Sequence, residues 1–155
     1  MVFSFFKKAK ENPINDIVTD VANPPVFIHG DLKAHSAKVG EIQQKTYPDG
    51  SPHALVVEPR DGQEVDAAAV HRAVLQLAKE QERWTVVAED EAQRMVQAVA
   101  VTKLFRFRDD IVFHVRDVPP NVEVHARSKS RVGKSDLGVN RARIIDFLGK
   151  LKSRL

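Results

Sequence analysis

The chain has 155 residues, 43% hydrophobic and 29% charged, with a formal net charge of +3 and no cysteine. That length fits one domain, which can bury roughly two thirds of the surface its unfolded chain exposes and so needs no metal or disulfide to hold together. The missing cysteine excludes a disulfide framework, cysteine zinc sites and a thiol nucleophile, and suits a reducing, cytoplasmic setting.

The sequence opens Met-Val-Phe-Ser-Phe-Phe-Lys-Lys. This apolar stretch is shorter than the roughly 7–15 residues of a signal-peptide core and has no leading positive charge. No stretch approaches the roughly 18 apolar residues of a membrane span. Residues 1–14 therefore read as an N-terminal segment ahead of a single α+β domain at 15–155. Val2, Phe3, Phe5 and Phe6 are expected to dock on the core. The alternative is a weak peripheral membrane contact, with Lys7, Lys8 and Lys10 near lipid headgroups.

Pro13, Pro24, Pro25, Pro48, Pro52 and Pro59 crowd the next stretch and argue against long regular elements. Within it, 26–28 and 54–57 read as short strands. Tyr47-Pro48-Asp49-Gly50 reads as a turn, because proline presets φ and glycine permits positive φ. Asp66 is placed to cap a helix reaching about Glu82. Ala67, Val70, Val74, Leu77, Ala78 and Gln81 fall near its buried side, and His71 is expected to face solvent.

Four strands are predicted next, at 84–89, 95–102, 110–116 and 121–127, linked closely enough for an antiparallel meander. If Pro119-Pro120 centres the turn between the last two, partner numbers sum to 239. Phe113 then faces Ala126 and Val115 faces Val124 on an apolar face. Arg116–Glu123, His114–His125, Val112–Arg127 and Asp110–Lys129 fall on the other. A helix over about 138–155 closes the chain, with Ile144, Leu148, Leu151 and Leu155 as its stripe. The expected fold is α+β, a two-layer sandwich in which a sheet of four or five strands is covered by the C-terminal helix and the 66–82 helix.

Charge is uneven. Residues 127–155 hold nine Lys/Arg against two Asp/Glu, a net of +7; the whole chain is +3, leaving −4 for residues 1–126. Such a basic end suggests an anionic partner or attraction to the chain's own acidic part. Nucleic acid is not expected, since only Phe147 interrupts the basic run with an aromatic ring.

The densest chemistry lies at 127–143. Arg127, Ser128, Ser130, Arg131, Gly133, Ser135, Asn140 and Arg143 are the candidate ligand-binding residues. Backbone N–H groups and a helix N-terminus would draw an anion there, and Gly133 and Gly138 would let it approach. Lys134-Ser135 superficially looks like a phosphate loop but lacks the Gly-x-x-x-x-Gly-Lys-Ser/Thr spacing. Asp109-Asp110 is the second candidate. Adjacent strand residues point to opposite faces, so the pair is expected to form supporting ion pairs with Arg127, Lys129 or Arg131 rather than to act on one atom. His125 with Ser128 or Ser130 would be a nucleophile and base lacking a third residue to orient the imidazole. His114 with His125 lacks the further ligands a metal requires. Neither a metal nor another cofactor is implied.

The run Arg127-Ser128-x-Ser130-Arg131-x-Gly133-x-Ser135-Asp136-Leu137-Gly138-x-Asn140-x-x-Arg143 resembles the signature of the domain-of-unknown-function family numbered 1499. Phe105-Arg106-Phe107-Arg108-Asp109-Asp110 is similar to that family's Phe-x-Asp-Asp block. Asp16 to Asp20 with Pro24-Pro25 is similar to its N-terminal block. The resemblance covers about residues 15–150 and implies no activity. The residues themselves favour a non-enzymatic binding or accessory module that takes an anionic small molecule or an acidic partner protein at 127–143. The alternative is an enzyme acting on a phosphorylated or carboxylated small molecule, with Ser128, Ser130, Arg131 and Asp109 or Asp110 in its site. A deep pocket would favour the enzyme, and a flat basic face the binding module.

Overall fold

The computed structural model describes residues 2–30 and 34–155, with side chains from Ser4 onward in those ranges. The elements run α1 (Val2–Glu11), β1 (Asp16–Val18), α2 (Ala37–Thr46), β2 (Leu55–Val57), α3 (Ala67–Glu80), β3 (Trp84–Asp90), β4 (Met95–Val101), β5 (Arg108–Val118), β6 (Asn121–Ser130) and α4 (Val139–Lys152). The fold is α+β. One antiparallel sheet runs β1–β6–β5–β4–β3, with β2 also paired on β6, giving six strands rather than four or five. The difference lies at the outer side of β6. There two three-residue strands sit end to end, β1 against Arg127, Ser128 and Lys129, and β2 against Val122, Val124 and the Glu123 between them. Strands so short carry too little alternation to stand out in sequence, although 54–57 did mark β2.

β5 and β6 pair in the expected register over all ten positions, from Asp109–Ser130 to Val118–Asn121, with Phe113 opposite Ala126. Alternation then sends Ile111, Phe113, Val115, Val122, Val124 and Ala126 to one face. They form the core with Val70, Val74 and Leu77 of α3 and Ile144, Phe147, Leu148 and Leu151 of α4. Phe113 and Phe147 stack with ring centroids 4.1 Å apart, and Trp84 lies 5.5 Å from Phe147. Burying side chains of this size contributes about 1.5–3 kcal/mol each.

Asp66 caps α3 as expected, its Oδ1 accepting from the N–H groups of Ala68 and Ala69 at 3.0 and 3.2 Å. His71 corrects the sequence reading: it is buried, at 2% exposure. Its position explains this. It follows Ala67 by four residues and precedes Val74 by three, so it lies inside the stripe rather than beside it.

The opposite sheet face is also covered, by the irregular residues 19–30. Residues 26–28 form no strand. Instead the N–H groups of Ile28 and His29 donate to Gln97 Oε1 at 2.7 and 2.9 Å, and Gln97 Nε2 donates back to the His29 carbonyl at 2.8 Å. Phe27 lies 4.7 Å from the Arg127 guanidinium carbon. Arg116 reaches Asp20 Oδ2 at 3.0 Å and the Asn23 carbonyl at 2.8 Å.

The proline-crowded stretch still holds α2, ten residues long between Pro25 and Pro48, while α1, also ten residues, ends before Pro13. Ser36 caps the start of α2, its side chain accepting from the Val39 N–H. Its one buried polar side chain, Gln43, receives the Val18 N–H on Oε1 at 2.9 Å and donates Nε2 to the Val18 carbonyl at 2.7 Å. Among the described residues no helix is long and apolar enough to cross a membrane.

Candidate functional site

β6 continues to Ser130, so the first four residues of the 127–143 segment are strand rather than loop. Strand alternation divides them. Arg127 and Lys129 lie on the face that residues 19–30 cover, and Ser128 and Ser130 face α4. The turn proper spans 131–138, and α4 then brings Asn140 and Arg143, three residues apart, back over the two serines.

Asn140, fully buried, is the hub. Its Oδ1 accepts from Ser128 Oγ at 2.6 Å and from Arg143 Nη1 at 2.8 Å. Its Nδ2 donates to Ser130 Oγ at 2.8 Å and Asp136 Oδ2 at 2.9 Å, with a longer contact of 3.3 Å to the Asn15 carbonyl. Asp136 Oδ1 accepts the Gly138 N–H at 2.7 Å, so the position at the start of α4 that an anion would take is filled by the chain's own carboxylate. Burial, chiefly, pushes the Asp136 pKa up; hydrogen bonds from Asn140 and Gly138 oppose this, and the Asp109 charge adds to it. Gly133 and Gly138 both have φ of +84°, which is why glycine occupies these corners. Ser135 Oγ accepts the Leu137 N–H at 3.2 Å.

Three arginines of the segment already face carboxylates. Arg127 is buried and bidentate to Asp16, with Nε to Oδ1 at 3.0 Å and Nη2 to Oδ2 at 2.8 Å. Arg131 is bidentate to Asp110, both contacts at 2.8 Å, with its side chain 42% exposed. Arg143 Nη2 lies 2.8 Å from Asp109 Oδ2 on the α4 side. The N–H of that last pair is not aligned on the oxygen, and Asp109 Oδ2, though buried, accepts no hydrogen bond among the described residues. The two aspartates thus point to opposite faces, as the strand geometry requires, and Asp110 pairs with one of the expected arginines. Asp109 takes Arg143, which the sequence did not point to.

Asp109, Ser130 and Arg143 form the polar floor of a cleft of about 710 Å³. Phe5 and Ala9 of α1 line it from one side, and Leu104, Phe105 and Phe107 of the β4–β5 connection from another. Trp84, Val132 and Val139 complete the apolar wall. Thr102 holds the connection in shape. Its N–H donates to the Phe107 carbonyl at 2.8 Å, and its Oγ1 accepts the Phe107 N–H at 2.8 Å. Its carbonyl accepts the Arg106 N–H at 3.1 Å. Gly133 and Ser135 edge the same cleft, whereas Arg127, Arg131 and Asp110 do not line it. Arg131 and Asp110 line a separate hollow on the opposite face with His29 and Gln97.

A family model described as Protein of unknown function (DUF1499) matches residues 16–151. The chain belongs to that family. No curated protein matches it. The DUF1499 match takes in β1 through most of α4, and so covers the floor of the cleft but not the α1 residues Phe5 and Ala9.

Within this DUF1499 domain the serine–histidine pairing fails. His125 lies on the face opposite Ser128 and Ser130, with Nδ1 3.1 Å from Thr19 Oγ1 and Nε2 2.7 Å from Glu123 Oε2. An odd and an even position on one strand cannot meet. His114 Nδ1 accepts from Arg116 Nε at 3.2 Å. Burial first, then the charges of Arg116 and His125, lower the His114 pKa. The aromatic wall escaped sequence reading because it comes from segments far from 127–143. Its one sequence signal was the run Phe105-Arg106-Phe107-Arg108, whose alternation of rings and cations lies outside any core pattern.

Proposed function

We propose that the chain is a non-enzymatic binding module whose ligand is a small amphiphile, its polar end against Asp109, Ser130 and Arg143 and its apolar body along the aromatic wall. The observation that carries this is the cleft itself. Its volume lies within the roughly 300–1,000 Å³ of small-molecule pockets, and a few polar groups converge at one end of a mostly apolar wall. Arg143 is already matched by Asp109, so a fully anionic end at the floor would meet a carboxylate 2.8 Å from that cation, although Arg83 and Lys103 also line the cleft. A hydroxyl or amide fits better, donating to Asp109 Oδ2 and accepting from Arg143. Of the basic residues of 127–143, Arg143 belongs to the floor, whereas Arg127 and Arg131 are taken up by Asp16 and Asp110 on the opposite face.

Trp84 is the only tryptophan of the chain and lines the cleft, so its fluorescence reports occupancy. Titration with dodecanol is expected to shift and saturate that emission, with dodecanoate binding more weakly. Preference for dodecanoate would reject the uncharged end while keeping the binding module. No saturable change with either would reject the module.

One observation favours the second reading, an enzyme acting on a phosphorylated or carboxylated small molecule. The segment borders a cleft rather than a flat basic face, and Asp109 offers an unaligned carboxylate oxygen inside it. Against it, the hydroxyls of Ser128 and Ser130 are engaged by Asn140, and among the described residues no imidazole borders the cleft.

A further inference from the structure

We propose that the mouth of the cleft is a docking surface for an anionic lipid bilayer. Three chain segments meet there, namely α1, the 102–107 connection and the 131–138 turn. Each presents apolar side chains to solvent: Phe6 is 62% exposed, Leu104 81% and Val132 56%. Phe5 and Phe6 pack edge to face at 5.9 Å, and Phe105 and Phe107 stack at 5.4 Å, so the rings form raised pairs rather than scattered contacts. Isolated exposed apolar residues are ordinary, but convergence of several on one rim marks an interaction surface. The sequence offered membrane contact through Val2, Phe3, Phe5 and Phe6 only as the alternative to docking on the core; the side chains of Val2 and Phe3 lie outside the described residues, and the 102–107 connection adds Leu104, Phe105 and Phe107 to Phe5 and Phe6.

The connection is held, not loose. Thr102 makes three hydrogen bonds across it, and Arg106 at its tip has a φ of +57°, a region that non-glycine residues enter at a cost. Phe105 and Phe107 on either side of it are 55% and 43% exposed. Charge selects the partner. Lys8, Lys103, Arg106 and Lys134 sit among these apolar residues, are exposed, and enter no ion pair among the described residues. The carboxylates that line the cleft are Asp109 and Asp136, both buried, and Glu82, which pairs with Arg83 at 3.3 Å; residues 102–108 and 131–135 contain none. Shallow apolar insertion with cations at headgroup level is the chemistry of binding to anionic bilayers, where neither contribution suffices alone. A second copy of the chain would set these cations against themselves. This surface does not depend on what the cleft holds, so vesicle binding and dodecanol binding can fail separately.

The test is flotation of the full chain with vesicles of phosphatidylcholine alone or of equal parts phosphatidylcholine and phosphatidylglycerol. Binding is expected to the mixed vesicles and to weaken as salt rises. Leu104→Asp with Phe105→Asp, and separately Lys103→Glu with Arg106→Glu, should each weaken it by on the order of tenfold or more. Val56→Asp, an exposed change on β2, should leave binding unchanged. Thermal melting checks that each variant is folded, and the charge-reversal pair stands in should the apolar pair fail to fold. No binding to mixed vesicles, equal binding to phosphatidylcholine alone, or binding untouched by both rim variants would overturn the proposal. A dimer in solution that the rim variants dissociate, with no vesicle binding, would assign the surface to self-association and equally overturn it.

Discussion

Asp109 and Asp110, adjacent in β5, turn to opposite faces of the sheet, where Arg143 meets the first and Arg131 the second, each with a nearest contact of 2.8 Å. Both carboxylates are buried, but the guanidiniums differ: the Arg143 side chain is 11% exposed and that of Arg131 42%. Arg143→Met strands a buried charge and should destabilise by about 3–5 kcal/mol. Arg131→Met opens Asp110 to water and should cost only about 1–2 kcal/mol. Urea unfolding of both variants checks the asymmetry. Equal losses would mean that burial of the arginine is not what distinguishes the pairs.

Two glycines of one helix region should respond in opposite directions to alanine. Gly138 has a φ of +84°, and an added Cβ would lie 3.3 Å from Asn12 Oδ1. Gly138→Ala is expected to cost about 1–2 kcal/mol from the left-handed backbone alone. Gly149 lies inside α4 with open space where a Cβ would be. Gly149→Ala should stabilise by about 0.5–1 kcal/mol. Denaturant midpoints measured on the two variants decide it, and a destabilised Gly149→Ala would contradict the helix placement.

Stability should fall on acidification from neutral pH. Burial, chiefly, holds the pKa values of His35 and His114 below the ordinary 6.5. Below that value the unfolded chain binds protons that the folded chain refuses, so the stability present above about 6.5 is lost as pH drops toward the folded values. Asp16 opposes the shift at His35, while Arg127 adds to it; at His114, Arg116 and His125 add to it. Asp136, whose pKa is raised from 3.8, acts in the opposite sense, since its contribution is lost as pH rises through its folded value. The comparison that isolates His114 is therefore His114→Gln against the parent at about pH 7.5 and 5.5, with the variant showing the shallower decline. An unchanged slope would remove His114 as a contributor.

Strict alternation made β5 and β6 readable down to the partner of each residue, because a slip by one would have put Phe113 against a polar side chain. The same logic should have shown that His125 cannot meet Ser128. β1 and α2 were illegible for a different reason. β1 is three residues long and owes its place to β6, while α2 buries only Gly40 and Gln43, so neither displays an apolar period. The floor of the cleft lay within the 127–143 segment and the Asp109-Asp110 pair that sequence had marked. Its aromatic wall did not, since Phe5, Leu104 and Phe107 converge through the tertiary fold alone.

Gln43 gives the sheet an unusual boundary. A carboxamide is the same chemical unit as a peptide link, and by taking both the N–H and the carbonyl of Val18 it stands where a seventh strand would begin. The outward hydrogen-bonding capacity of Val18 is thereby saturated by one side chain. Edge strands with vacant donors and acceptors invite chain-to-chain polymerisation. At β1 that invitation is withdrawn by a residue anchored in a helix, so the sheet cannot grow past Val18 unless α2 first lets go.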